Sequence, residues 1–136
     1  MKKIVISGSA KLKDEINYWL NYFKDRNYEV IDYPILVEKE NYLEDLSNVY
    51  KSFYQNLEKT DIYFLMNEDK NGIKGYIGAN GMCELTYVVI LNLIHNKNID
   101  IYILNMPSKE VSCYDEIEFY LNMGWIKIYD KNNSDI

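Results

Sequence analysis

Histidine occurs once, cysteine twice and proline twice in these 136 residues, and the first two shortages each close off a class of function. A zinc site draws its ligands from Cys, His and acidic side chains at set spacings, and Cys83, Cys113 and His95 share none of them. The same scarcity argues against a Cys/His nucleophile pair, so neither a metal nor a cofactor is expected. Cys83 reads as a small packing residue, because free Cys commonly behaves as a buried hydrophobe. His95 follows an apolar run and reads as a last-turn residue favoured by the dipole at a helix C-terminus. Long hydrophobic runs are missing too: none approaches the ~18–20 residues of a membrane span. Met1-Lys2-Lys3 passes into a strand pattern instead of a signal-peptide core, so the expectation is a cytoplasmic chain with no membrane partner. Positive charge is short as well, with 15 Lys and Arg against 21 Asp and Glu and a net charge of −6. Extended binding to a phosphate backbone needs a concentrated Lys/Arg surface, so no nucleic acid polymer is expected. A small anion remains compatible, since a local nest of N–H groups binds anions against an unfavourable global charge. Internal repeats, low-complexity tracts and interdomain linkers are absent.

What is present is a chain of single-domain size with 48% hydrophobic residues, which argues against disorder and suffices for a core without disulfides or metal. Strand and helix patterns alternate from end to end. Lys3 to Ser7 is a β-branched run closed by Gly8-Ser9, after which Leu12, Ile16, Trp19, Leu20 and Phe23 recur at helical spacing. Tyr28 to Asp32 gives a second strand, stopped at Tyr33-Pro34 because proline lacks the N–H that a continuing central strand requires. Leu43, Leu46, Tyr50, Phe53 and Leu57 mark a second helix, and Asp61 to Met66 is an apolar run suited to burial on both faces of a parallel sheet. Met82 to Ile94 is an almost wholly apolar helix, Ile99 to Leu104 a fourth strand, Tyr114 to Asn122 a short helix and Trp125 to Ile128 a fifth strand. Such alternation implies right-handed crossovers and a sheet covered on both faces. The expectation is one domain over residues 1–129, a three-layer flavodoxin-like (Rossmann-like) α/β fold with five parallel strands in the order 2-1-3-4-5. A polar tail over residues 130–136 reads as solvated and frayed.

In such sheets ligands bind at the carboxyl ends of the strands, where strand order reverses. Ser7, Gly8, Ser9, Asp32 and Asn67 all fall at that edge, as does the run Gly75-Tyr76-Ile77-Gly78-Ala79-Asn80-Gly81-Met82-Cys83-Glu84. A glycine-rich approach to a helix start lets a sugar or phosphate come close to unpaired N–H groups. The run places one acid, Glu84, where the helix is expected to begin. Glu84 has two readings: an ordinary first-turn acid favoured by the helix dipole by ~0.3–1 kcal/mol, or a reacting carboxylate.

Ile6-Ser7-Gly8-Ser9-Ala10, Thr60-Asp61-Ile62 and the glycine run leading into Cys83-Glu84-Leu85 resemble the nucleoside 2-deoxyribosyltransferase superfamily, which includes the 2'-deoxynucleoside 5'-phosphate N-hydrolases. The likeness extends from about residue 3 to about residue 105. It implies that Glu84 is the nucleophile, that Asp61 belongs to the substrate pocket as the second catalytic carboxyl, and that Gly8 and Ser9 line the sugar or phosphate end. Ser7, Asn67, Gly78, Asn80 and Gly81 complete the expected substrate-binding set. The substrate would be a small nucleoside or nucleotide. The chemistry suits these residue types. Cleaving an N-glycosidic bond passes through an oxocarbenium-like state that a carboxylate stabilises or traps as an ester, and a second carboxyl assists the leaving base. Asp61 has a plainer alternative as a strand-start acid bonded to backbone.

The sequence departs from the family at defined places. Transferases carry an Asp six positions before the nucleophile, where this chain has Gly78, and an aromatic residue on the first strand, where it has Ile6. The phosphate N-hydrolases carry a Ser in the loop and an Arg-rich stretch after the first Gly-Ser; here stand Ala79-Asn80-Gly81 and Ala10-Lys11-Leu12-Lys13. A phosphate contact would rest on Ser9, Lys11 and backbone N–H groups, although Lys11 and Lys13 also read as solvated helix-start charges. Two functions follow, an N-glycosidic enzyme or a binding or sensing domain of the same fold. The apolar helix Met82 to Ile94 and the family's habit of completing pockets across a subunit boundary together imply a homodimer or a higher homo-oligomer.

Overall fold

The computed structural model describes residues 1–37, 40 and 42–132. Its elements are β1 (Lys3–Ser7), α1 (Lys13–Asp25), β2 (Glu29–Asp32), α2 (Tyr42–Leu57), β3 (Ile62–Leu65), α3 (Ala79–His95), β4 (Asp100–Ile103), α4 (Tyr114–Asn122) and β5 (Lys127–Ile128). The strands form one five-stranded sheet in the order β2-β1-β3-β4-β5, and every pairing is parallel. This is the three-layer α/β architecture expected from the alternation. Of the polar tail, residues 133–136 lie outside the described residues.

Alternation along β3 divides the core. Tyr63 and Leu65 point to one face with Val5, where Phe53 and Leu57 of α2, Leu85 and Val88 of α3 and Ile117 of α4 cover them. Ile62, Phe64 and Met66 point to the other face with Ile4 and Ile6. There α1 is the covering helix, through Ile16, Trp19, Tyr22 and Phe23. Tyr129, just past β5, extends that cover by packing edge-on to Phe64 at a centroid distance of 5.5 Å and pairing its hydroxyl with Tyr22 at 2.6 Å. One helix and a cluster of rings thus do on this face what three helices do on the other.

The apolar runs exceed the strands they form. Tyr28, Asp61, Met66, Ile99, Leu104, Trp125 and Ile126 lie outside the ladders, although Met66 still donates its N–H to Ser7 at 2.7 Å. The larger difference is at α3, which begins at Ala79 rather than Met82. Gly78 caps it in an extended conformation, and Met82 N–H already closes the first helical bond on Gly78 at 3.1 Å. The expected loop Ala79-Asn80-Gly81 is therefore the first turn, which contains no acid. Glu84 stands in the second turn.

Candidate active site

The β1–α1 connection must turn sharply beneath the end of β3. Gly8 does so at φ +154°, where a Cβ would lie 3.0 Å from the Met66 carbonyl oxygen, an approach and a conformation that suit glycine alone. This brings Gly8, Ser9 and Lys11 to one wall of a cavity of about 480 Å³ at the carboxyl edge of the sheet. The opposite wall is the start of α3, with Gly78, Asn80, Gly81 and Glu84, and the roof is largely apolar, formed by Tyr33 to Val37, Tyr42, Leu46, Val49, Tyr50 and Phe53. Asn80 is held there by the Tyr50 hydroxyl, which donates to its side-chain carbonyl at 2.5 Å.

Glu84 is aimed from α3 at the end of β1. The Ser7 hydroxyl, fully buried, donates to Glu84 Oε1 at 2.5 Å. Burial pushes the Glu84 carboxyl up to about 7, against the Ser7 hydrogen bond, which lowers it, and with help from the negative charge of Asp32. Favourable dipole contact belongs to the first turn and falls off beyond it, so a second-turn acid pushed upward is not explained as a dipole-stabilised one. A carboxyl poised near neutrality inside a cavity can act ionised as a nucleophile or protonated as an acid. Burial, with the charge of Glu84 adding to it, also raises two phenols, Tyr54 to about 12 and Tyr63 well above its ordinary range.

The sequence-based site residues separate into four groups. Gly8, Ser9, Gly78, Asn80, Gly81 and Glu84 line the one cavity. Ser7 does not line it, because strand alternation turns its side chain into the core face, where it holds Glu84 from behind. Asn67 is a correction of a different kind. Its buried amide donates to the carbonyls of Gly75 and Asn105 at 3.2 and 2.7 Å and accepts from the N–H groups of Leu104 and Asn105 at 2.9 and 3.0 Å. With all amide positions occupied, it ties the loops after β3 and β4 together and does not face the cavity.

Asp61 is not brought to Glu84. It precedes β3, at the amino edge of a parallel sheet, and its carboxylate accepts from Lys3 N–H at 2.8 Å. The length of β3, about 13 Å at ~3.3 Å per residue, separates it from the Ser7–Glu84 pair. The acid nearer the site is Asp32 at the end of β2, pinned by Tyr33 N–H and the Asn56 amide, each at 2.9 Å. Asp61→Asn is accordingly expected to leave ligand binding and any activity unchanged while lowering stability by about 1 kcal/mol or less, the worth of one exposed hydrogen bond. A drop in activity beyond the drop in folded fraction would contradict this placement.

Cys83 is also corrected: it is exposed, because the buried stripe of α3 runs through Leu85, Val88, Val89 and Leu91 and Cys83 falls on the other side. His95 is in the last turn of α3, as expected. Sequence reasoning missed Lys70, whose ammonium donates to Ser9 Oγ at 2.8 Å and sits 5.2 Å from the centre of the Tyr76 ring, inside the cavity wall. The signal was Asn71-Gly72. Both residues have positive φ, and Lys70 and Ile73 exchange backbone hydrogen bonds across them at 3.1 and 3.0 Å, the pairing that such a dipeptide favours. A second cavity of about 280 Å³ lies toward the amino end of β4, between Leu93 and Trp125, away from Glu84.

Among the described residues no group of three or more His, Cys, Asp or Glu side chains is arranged to hold a metal ion, and no helix is long and apolar enough to cross a membrane. No family model, no curated protein and no solved structure matches this chain.

Proposed function

We propose that the protein cleaves or transfers the N-glycosidic bond of a 2'-deoxynucleoside or its 5'-monophosphate, with Glu84 as the nucleophile. The observation that carries this reading is a cavity-lining carboxyl oriented by the buried Ser7 hydroxyl and raised to about 7. The apolar and aromatic roof between β2 and α2 suits a planar base. The polar wall of Ser9, Lys11 and Lys70 suits a sugar hydroxyl or a phosphate, and Glu84 lines the same cavity. The ionised carboxylate attacks the anomeric carbon as the bond to the base breaks; the base leaves with the bonding pair and takes a proton from water, and a glycosyl ester remains. Water then displaces the carboxylate to give the free sugar, or a second base displaces it to give a new nucleoside. The test is incubation with deoxynucleosides and their monophosphates, followed by chromatography for free base. Release from at least one substrate is expected.

A binding or sensing domain of the same fold is the second reading, and the observation favouring it is Asp61, which lies too far from Glu84 to assist a leaving base. Measurable deoxynucleotide affinity without base release would select it.

The same proposal includes a homodimer packed through α3. Ile90, Leu93 and Ile94 remain 40%, 44% and 65% exposed on that helix, a cluster that single scattered apolar residues do not make. Sedimentation at micromolar concentration is expected to give twice the chain mass, and Leu93→Glu with Ile94→Glu to give the single mass. A single-mass wild type would contradict the dimer.

A further inference from the structure

Tyr63 is the one fully buried side chain among the described residues whose polar atom completes no hydrogen bond. Leaving a hydroxyl unpaired in a core costs about 1–3 kcal/mol, and phenylalanine would fill the same space without that loss. The position is not neutral with respect to the site. Tyr63 points to the face of β3 shared with Val5, Leu65 and Leu85. Val5 pairs with Tyr63 across β1 and β3, so Ser7, two residues further along β1, is the diagonal neighbour of Tyr63 on that face, a separation that an aromatic side chain can span. Burial, and after it the charge of Glu84, holds the phenol well above its ordinary range. Ser7 gives its only proton to Glu84 at 2.5 Å. A serine hydroxyl has two lone pairs besides that proton, so Ser7 can accept from Tyr63 while it donates to Glu84.

We propose that Tyr63 is a positioning residue for Glu84, acting through Ser7: the phenol donates to Ser7 Oγ, and Ser7 donates in turn to the carboxylate as it ionises. Its functional meaning rests on the reading of Glu84 as the reacting group. Hydrogen bonds in such a chain polarise one another, so the phenol favours the ionised carboxylate and fixes its orientation without touching substrate. The other charged and titratable groups about Glu84 are Asp32 from β2, Tyr54 from α2 and, lining the same cavity, Lys11, Tyr50 and Lys70; none of them reaches it through Ser7.

Titration of the Glu84 carboxyl by ¹³C NMR, in protein labelled at glutamate, tests the chain without any substrate. Tyr63→Phe is expected to raise the midpoint by roughly half a pH unit and Ser7→Ala by about one unit or more, since each removes support for the charged form. Adding Tyr63→Phe to Ser7→Ala is expected to produce no further shift. If base release is observed, Tyr63→Phe should also lower kcat and leave KM in place. An unchanged midpoint in Tyr63→Phe would overturn the proposal, as would a shift that survives in the Ser7→Ala background, which would show that the phenol acts on Glu84 directly. Absence of base release in the wild type bears on the enzymatic reading alone, and the titration stands apart from it.

Discussion

Replacing Glu84 by glutamine is expected to abolish measurable base release while making the protein more stable at neutral and alkaline pH. The first half follows from charge. The amide keeps the shape of the side chain and can still accept from Ser7, so affinity for a deoxynucleotide should survive, but it offers no negative charge to an oxocarbenium centre and cannot form an ester. A loss of at least ~10²-fold is the lower end of what one placed catalytic group contributes. The second half follows from linkage. Glu84 ionises at about 7 in the folded chain against an ordinary value of 4.5. Below 4.5 both folded and unfolded states hold the proton, and the group is neutral toward stability. As pH rises from 4.5 to about 7 the unfolded chain loses its proton and the folded one keeps it, so stability falls; above 7 both are ionised and the full penalty, about 3 kcal/mol, is in place. Glutamine never carries that penalty. Thermal melts should therefore show Glu84→Gln gaining on the wild type as pH rises through this window and matching it in acid. Equal melting temperatures at all pH values would mean that the carboxyl is not held against its own ionisation.

Asn67→Ala is expected to have the largest effect on stability with no direct part in chemistry. The substitution strips partners from the carbonyls of Gly75 and Asn105 and from the N–H groups of Leu104 and Asn105. Each stranded group costs about 1–3 kcal/mol, less where water reaches it, so a total of about 3–5 kcal/mol is expected. For a chain of this size that lowers the melting temperature by roughly 10–15 °C. Gly75 would feel the loss first, since its backbone packs so closely on the β4 loop that a Cβ there would lie 2.9 Å from Pro107 Cα. Loosening that contact also unseats the approach to α3 and with it Glu84. A melting temperature within about 3 °C of the wild type would show that the amide network is not what joins the two loops.

Much of this architecture is legible in the sequence because each strand announces its environment. Ile62 to Leu65 is apolar at every position and is buried on both faces, whereas helices such as α1 carry a stripe with charged residues between. The boundary of α3 differs from the one that the pattern suggests because glycine marks both loops and caps. Gly78 is a cap, and Gly81 lies inside the first turn with only ordinary contacts to Leu65 and Ile77. Ser7 and Asn67 sit at the ligand edge in sequence, yet burial decides their roles: one backs the carboxyl and the other ties loops, and neither distinction shows in residue type. The place of Asp61 follows from topology alone. A residue that opens a strand of a parallel sheet lies at the amino edge, and ligands bind at the other. Lys70 entered the cavity through a two-residue turn whose Asn-Gly signal is strong locally, but a local turn does not say which distant wall it faces.

The central claim is that Glu84 reacts, and the direct measurement is free base released from deoxynucleosides and their 5'-monophosphates by wild type and Glu84→Gln side by side, across the pH range around 7. The account predicts release by the wild type that rises with pH to a plateau with a midpoint near the carboxyl's value of about 7, and none above background for the variant at equal ligand occupancy. Wild-type protein that binds these ligands and releases no base, or a variant that releases base as fast as the wild type, would contradict it.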